Sequence, residues 1–168
     1  MTKLYAQPYD ITASGFYFDS AEEYKAKAAH ARNASGCRVE EFEIQFIDGD
    51  PLDAELFNAL SVHQGDVSRF LGAVDEWGDE EKIRVIIAVG EGGYQFRLGR
   101  DEPHRIEIDL YECDSLRDLA MQFVDDGLFG EIPASIANYL DYDAIACDLS
   151  ADYSETSVEG ARYIYRLG

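Results

Sequence analysis

Across residues 106–160 the chain carries fourteen carboxylates and one base, Arg117, while its apolar residues keep a regular spacing. A segment so one-sided in charge folds only if the carboxylates face water and the apolar residues alone make the interior. The imbalance is graded along the chain. Residues 1–100 hold 18 acids and 10 bases, residues 101–168 hold 16 and 4, and the whole stands at −20. Self-repulsion of that size opposes compaction. Against it stand 46% hydrophobic content, 11 Tyr, 9 Phe and one Trp in 168 residues, which suffice for a core in one unit or two to three small lobes and exclude a disordered acidic tail. Phosphate contacts need clustered Lys and Arg, so direct nucleic-acid binding is disfavoured. A partner with a cationic surface fits the charge, with solubility or a salt-rich habitat as the plain alternative.

Residues 4–7 and 15–18 read as short strands between turn formers, and Ser20-Ala-Glu-Glu23 is a capping box for an Ala-rich helix running through Ala31 and stopped by Gly36. Residues 39–47 alternate, with Phe42, Ile44 and Phe46 on one face, and predict a half-buried strand. A short helix over residues 53–60 turns Leu52, Leu56, Phe57 and Leu60 inward. Over residues 66–77, Val67, Phe70, Leu71, Val74 and Trp77 form the stripe of a second helix. Periodicity leaves residues 79–89 open between helix and strand, because an acidic helix start precedes a β-branched run. Gly90-Glu-Gly-Gly93 reads as a loop, and residues 105–112 alternate as a strand. Ser115 caps a helix carrying Leu116, Leu119, Ala120, Phe123 and Val124, ended by Gly127. Pro133 opens another helix with Ile136, Tyr139 and Leu140 as its inner stripe, and Asp141 caps a further turn bearing Tyr142, Ile145 and Leu149. Residues 153–158 and 161–167 form a hairpin through Glu159-Gly160. The elements together predict an α+β protein.

Cys37, Cys113 and Cys147 are odd in number and far apart, which suits neither a disulfide framework nor a CxxC motif. With no signal peptide and no apolar run of about 18 residues, reduced thiols in a soluble cytoplasmic protein are expected, away from any membrane. His30, His63 and His104 are isolated from one another and from Cys, and read as surface residues rather than metal ligands or catalytic bases. The glycine cluster lacks both the P-loop Lys and the GxGxxG spacing. Asp48, Asp50, Asp53 and Glu55 fail the EF-hand pattern and are explained by a turn and a helix N-terminus. No catalytic set, metal site or cofactor site is expected.

The candidate surface is made of Asp109, Glu112, Asp114, Asp118, Asp125, Asp126, Glu131, Asp141, Asp143 and Asp148. Asp118 and Asp125, seven apart on one helix, share an outward face, as do Asp141 and Asp148. Salt-bridged helices intersperse both signs, so this segment is not expected to stabilise itself through ion pairs. Duplex DNA carries about one negative charge per 1.7 Å of axis, and a folded surface dense in carboxylates offers a similar field.

The run Gly130-Glu-Ile-Pro133, Asn138-Tyr-Leu-Asp-Tyr142 and the spaced Asp148-Leu149 resembles the C-terminal signature of the ArdA antirestriction family. The likeness extends upstream through Asp114-Ser-Leu-Arg-Asp-Leu-Ala120 and downstream into the aromatic hairpin, covering roughly the last sixty residues well. It thins before that, where Gly15-Phe-Tyr-Phe-Asp19 looks like a reduced family strand. The resemblance implies an elongated chain of small lobes: an N-terminal β-rich lobe with a helix (residues 1–60), a central mainly helical lobe (61–103) and a C-terminal acidic α+β lobe (104–168) that ends in the hairpin and holds a homodimer contact. It favours a helix for residues 79–89. In function it implies a non-enzymatic DNA mimic, borne on mobile genetic elements, whose carboxylates replace phosphates in the DNA-binding groove of a Type I restriction-modification enzyme. A dimer's summed charge equals that of about 68 Å of duplex, roughly twenty base pairs. An acidic adaptor for some other cationic DNA-binding protein is the alternative, and a metal-dependent hydrolase built on clustered carboxylates a distant third.

Overall fold

Alternation in the first strand, β1 (Lys3–Pro8), buries Leu4, Ala6 and Pro8 and makes it the centre of a three-stranded antiparallel sheet, flanked by β2 (Phe16–Phe18) and β3 (Phe42–Asp48). Leu4 lies opposite Phe18 and Phe46, and Ala6 opposite Phe16 and Ile44, so the apolar positions of all three strands share one face. Tyr24 of α1 (Ala21–His30) closes on that face, its ring 4.9 Å from that of Phe18. The Ser20 hydroxyl accepts the Glu23 N–H at 3.2 Å, as expected, while the Glu23 carboxylate reaches past Ser20 to the Asp19 N–H at 3.0 Å. Gly36 does not end this helix. It ends at His30, and the Asn33 side chain turns the chain by accepting the N–H groups of Ser35 and Cys37.

The computed structural model describes residues 1–168 and contains two compact units, Met1–Ile106 and Glu107–Gly168, with seven α-helices and two small antiparallel sheets, an α+β fold. None of the helices is long and apolar enough to cross a membrane. In the first unit the sheet is joined by α2 (Pro51–Ala59), α3 (Val67–Glu76) and α4 (Asp79–Gly90). Asp50 caps α2 at the Leu52 N–H, 2.9 Å away, and Pro51 fills the first helical position, where its missing N–H costs nothing. Residues 79–89 are helical. Val85, Ile86, Ile87 and Ala88 are consecutive and all buried, so α4 is enclosed on most sides. The few tenths of a kcal/mol lost per β-branched residue are outweighed by about 1.5–3 kcal/mol for each fully buried side chain.

Burial of α4 brings a charge with it. Lys82 and Asp53, 7% and 4% exposed, form an ion pair at 2.6 Å, and the Thr2 hydroxyl donates to the second carboxylate oxygen at 3.3 Å. Asp53 was expected to serve only the N-terminus of α2; instead it reaches across 29 residues. Removing one partner leaves the other buried and uncompensated. Asp53→Ala should therefore lower the unfolding free energy by about 3–5 kcal/mol in a denaturant titration, whereas the apolar pair Asp53→Leu/Lys82→Met should lose much less.

A 3₁₀ turn at Pro103–Arg105 closes the first unit, and the strand predicted from residue 105 starts three residues later, in the second, as β4 (Ile108–Glu112). The sheet order is β4-β6-β5, with β5 (Ser154–Val158) and β6 (Ala161–Leu167) joined through Glu159 and Gly160, both at positive φ, the type I′ turn that suits a two-residue hairpin. Helix α5 (Leu116–Asp125) buries Leu119, Ala120 and Phe123 and packs against α7 (Tyr142–Leu149). Leu119, Phe123, Tyr153 and Ile164 form the core, with Tyr111, Cys113, Leu116 and Leu149 around it. The Phe123, Tyr111 and Tyr153 rings lie 5.4–6.2 Å apart in edge-on and tilted contacts.

Between these helices the expected inner stripe fails. Helix α6 is only Ala134–Ala137, with Pro133 as its cap rather than its first residue, and Ile136 and Tyr139 are 51% and 85% exposed. One turn is too short to hold a stripe against a core. The chain arrives there from a Schellman end to α5, in which Gly127 (φ +76) and Leu128 donate to Val124 and Phe123, and it leaves where Asp141 starts α7.

Candidate functional site

The Glu107–Gly168 unit holds fourteen acids against Arg117, Arg162 and Arg166, a net −11. Helix ends position much of that charge. Asp118 lies in the first turn of α5, its N–H given to the Ser115 hydroxyl at 3.1 Å, and Asp141 caps α7 by accepting the Ala144 N–H at 3.0 Å. At an N-terminus a carboxylate is favoured by the helix dipole, so these two have a structural reason to be where they are. Asp125, Asp126 and Asp148 have the opposite placement. They stand exposed in the last turn or cap of α5 and α7, where the dipole disfavours negative charge by about 0.3–1 kcal/mol, and no Lys, Arg or His is found in either last turn.

Two carboxylates of the candidate set are neutralised. Arg117 on α5 reaches Asp143 on α7 at 3.1 Å, and Arg166 on β6 reaches Asp109 on β4 through its Nε at 3.0 Å while its guanidinium lies over the Tyr153 ring. The expectation that this segment forms no ion pairs is corrected here: β6 lies outside the acidic run in sequence but returns beside β4 in space. Arg162 donates to the Asp114 carbonyl at 2.8 Å and leaves that carboxylate exposed. Glu112, Asp114, Asp125, Asp126, Glu131 and Asp148 are thus exposed with no ion-pair partner.

Carboxylates beyond the candidate set are exposed as well. Glu155 on β5 accepts the Leu116 N–H at the start of α5, 39 residues away, a contact that strand alternation alone does not reveal. In the first unit, Asp75, Glu76, Asp79 and Glu80 are exposed around the α3–α4 turn. His30, His63 and His104 are exposed, the last two beside Asp66 at 3.2 Å and Glu102 at 3.4 Å. Large apolar side chains are exposed in the same stretch: Met121, Leu128, Phe129, Ile136 and Tyr139 are 38–85% exposed within nineteen residues of chain.

Cys113 registers the field. Burial, then the charges of Asp118, Asp114 and Glu155, push its thiol above the usual range, because each disfavours the thiolate. At pH 8 Cys113 should be alkylated by iodoacetamide more slowly than the exposed Cys37 and Cys147, as followed by mass spectrometry of the intact and digested chain. Asp114→Asn/Asp118→Asn should lower its titration midpoint; a midpoint that does not move would assign the shift to burial alone.

Fold and surface together define a small acidic α+β protein whose second unit exposes a carboxylate-rich surface. Residues 40–162 match the family described as antirestriction protein (ArdA), and the chain belongs to that family. A search of curated proteins gives no match.

Proposed function

We propose that this antirestriction protein is a non-enzymatic DNA mimic that occupies the DNA-binding groove of a Type I restriction-modification enzyme in the cytoplasm of cells receiving a mobile genetic element. The observation that carries this is the placement of unpaired carboxylates at Asp125, Asp126 and Asp148, on helix ends that such groups destabilise. Solubility needs charge somewhere on the surface; it does not need charge at these positions. In the proposed complex they stand for phosphates and take the Lys and Arg side chains that otherwise hold DNA, together with Glu112, Asp114, Asp118, Glu131 and Asp141. Asp109 and Asp143 act only where the enzyme's cations displace Arg166 and Arg117.

Within this proposal residues 104–168 supply the acidic and dimer-forming lobe, residues 61–103 a central helical lobe, and residues 1–60 an N-terminal lobe that bears on which enzyme is blocked. The homodimer rests on the exposed group of Leu128, Phe129, Ile136 and Tyr139, whose apolar surface a second copy would cover. Ile136→Ser/Tyr139→Ser should convert the species seen by light scattering from dimer to monomer with the fold retained by circular dichroism; a dimer unaffected by both changes places the contact elsewhere.

The decisive experiment titrates the protein against a purified Type I enzyme and DNA. Inhibition should be overcome by more DNA and should fall steeply as salt rises from 50 to about 200 mM. Asp118, Asp125, Asp126, Asp141 and Asp148 changed together to Asn keep the caps, since Asn caps as well as Asp, but remove five charges. The half-inhibitory concentration should rise by about 100-fold, or roughly 2.7 kcal/mol. Unchanged potency would sink phosphate replacement. Capture of other cationic DNA-binding proteins with no effect on the Type I enzyme would favour the adaptor reading.

A further inference from the structure

The first unit has a net charge of −9, yet three of its eleven bases, Arg69, Arg97 and Arg100, line one groove of about 420 Å³. Asp66 is the sole carboxylate lining it, 3.8 Å from Arg69. The surround is built to hold these cations. Gly99, at φ +74, lets the Arg69 stem lie on the backbone, and a Cβ there would come within 2.9 Å of Arg69 Cδ. Asp101 accepts the Arg97 N–H at 2.8 Å and stands 3.5 Å from the Arg97 Nε, a pair that an incoming phosphate must loosen, and the N–H groups of Arg100 and Asp101 donate to the Arg97 carbonyl, so one short turn carries both Arg97 and Arg100. Arg100 has no carboxylate partner in a chain with 34 acids. Leu60, Phe96 and Leu98 make the apolar part of the groove, with Phe96 braced edge-on against Trp77 at 5.7 Å.

We infer that this groove is a binding site for a phosphate monoester, and for a mononucleotide in particular. Guanidinium forks match phosphate oxygens in pairs, and the Leu60, Phe96 and Leu98 surface suits the flat face of a base. Size and charge decide against longer partners. A volume of a few hundred Å³ is that of a small-molecule site, and a nucleic-acid strand or an acidic peptide would carry further negative charges along a protein at −20. A single monoester meets the local cations and leaves the rest of the field untouched. The site is independent of the acidic surface on the second unit, and its test needs no restriction enzyme.

Isothermal titration of the full chain at fixed ionic strength, with AMP, inorganic phosphate and adenosine in separate arms, tests it. AMP should bind saturably at one site, inorganic phosphate more weakly at the same site, and adenosine not at all. Arg97→Gln/Arg100→Gln should weaken AMP by at least about tenfold, and Asp66→Asn should tighten it. Circular dichroism and the thermal midpoint establish that each variant is folded. Lack of saturable binding by both AMP and phosphate, or equal affinity in the folded double variant, overturns the assignment. Tighter binding of a hexaglutamate peptide than of AMP would also overturn it and make the groove a protein contact.

Discussion

Everything in residues 107–168 depends on a small apolar cluster holding together a surface that repels itself. Leu119, Phe123, Tyr153 and Ile164 are almost wholly buried, and each such side chain contributes about 1.5–3 kcal/mol on leaving water. Two exposed carboxylates about 6 Å apart repel by about 0.7 kcal/mol in water, and less with salt. The cluster therefore wins, provided that the carboxylates stay in solvent. Strand alternation and the helical stripe are what keep them there, and a buried carboxylate in this unit would reverse the balance.

The first unit resolves its charge differently. Its one deeply buried acid, Asp53, is paired to Lys82, and the surrounding α4 is apolar enough to enclose them. Its basic residues are numerous enough to cluster, which is how a cationic groove survives on an anionic protein. In the second unit the three arginines are committed: Arg117 and Arg166 to single carboxylates, Arg162 to a carbonyl. Six exposed carboxylates of the candidate set are left without a partner, three of them at helix ends whose dipole opposes them. A surface arranged for stability alone would place those charges one helix length away.

Much of this was legible residue by residue. The charge imbalance, the stripes of α3 and α5, the caps at Ser20, Ser115 and Asp141, the Glu159-Gly160 turn and the family likeness of residues 114–149 all rest on neighbours within a few positions. Such signals survive whatever the rest of the chain does. Residues 79–89 were not decidable in this way, because an apolar run surrounded on all sides has no period to display. Ile136 and Tyr139 kept a helical spacing that one turn of helix could not bury.

The sequence by itself determined the sign and density of the surface charge and most of the elements, since composition and local spacing suffice for both. Only the tertiary structure decided which carboxylates remain free. Asp53 and Lys82 are 29 residues apart, Arg166 and Asp109 are 57 apart, and Arg117 meets Asp143 from a neighbouring helix. An ion pair acts over a few ångströms of space, and no local pattern encodes which distant side chain will be folded into that range.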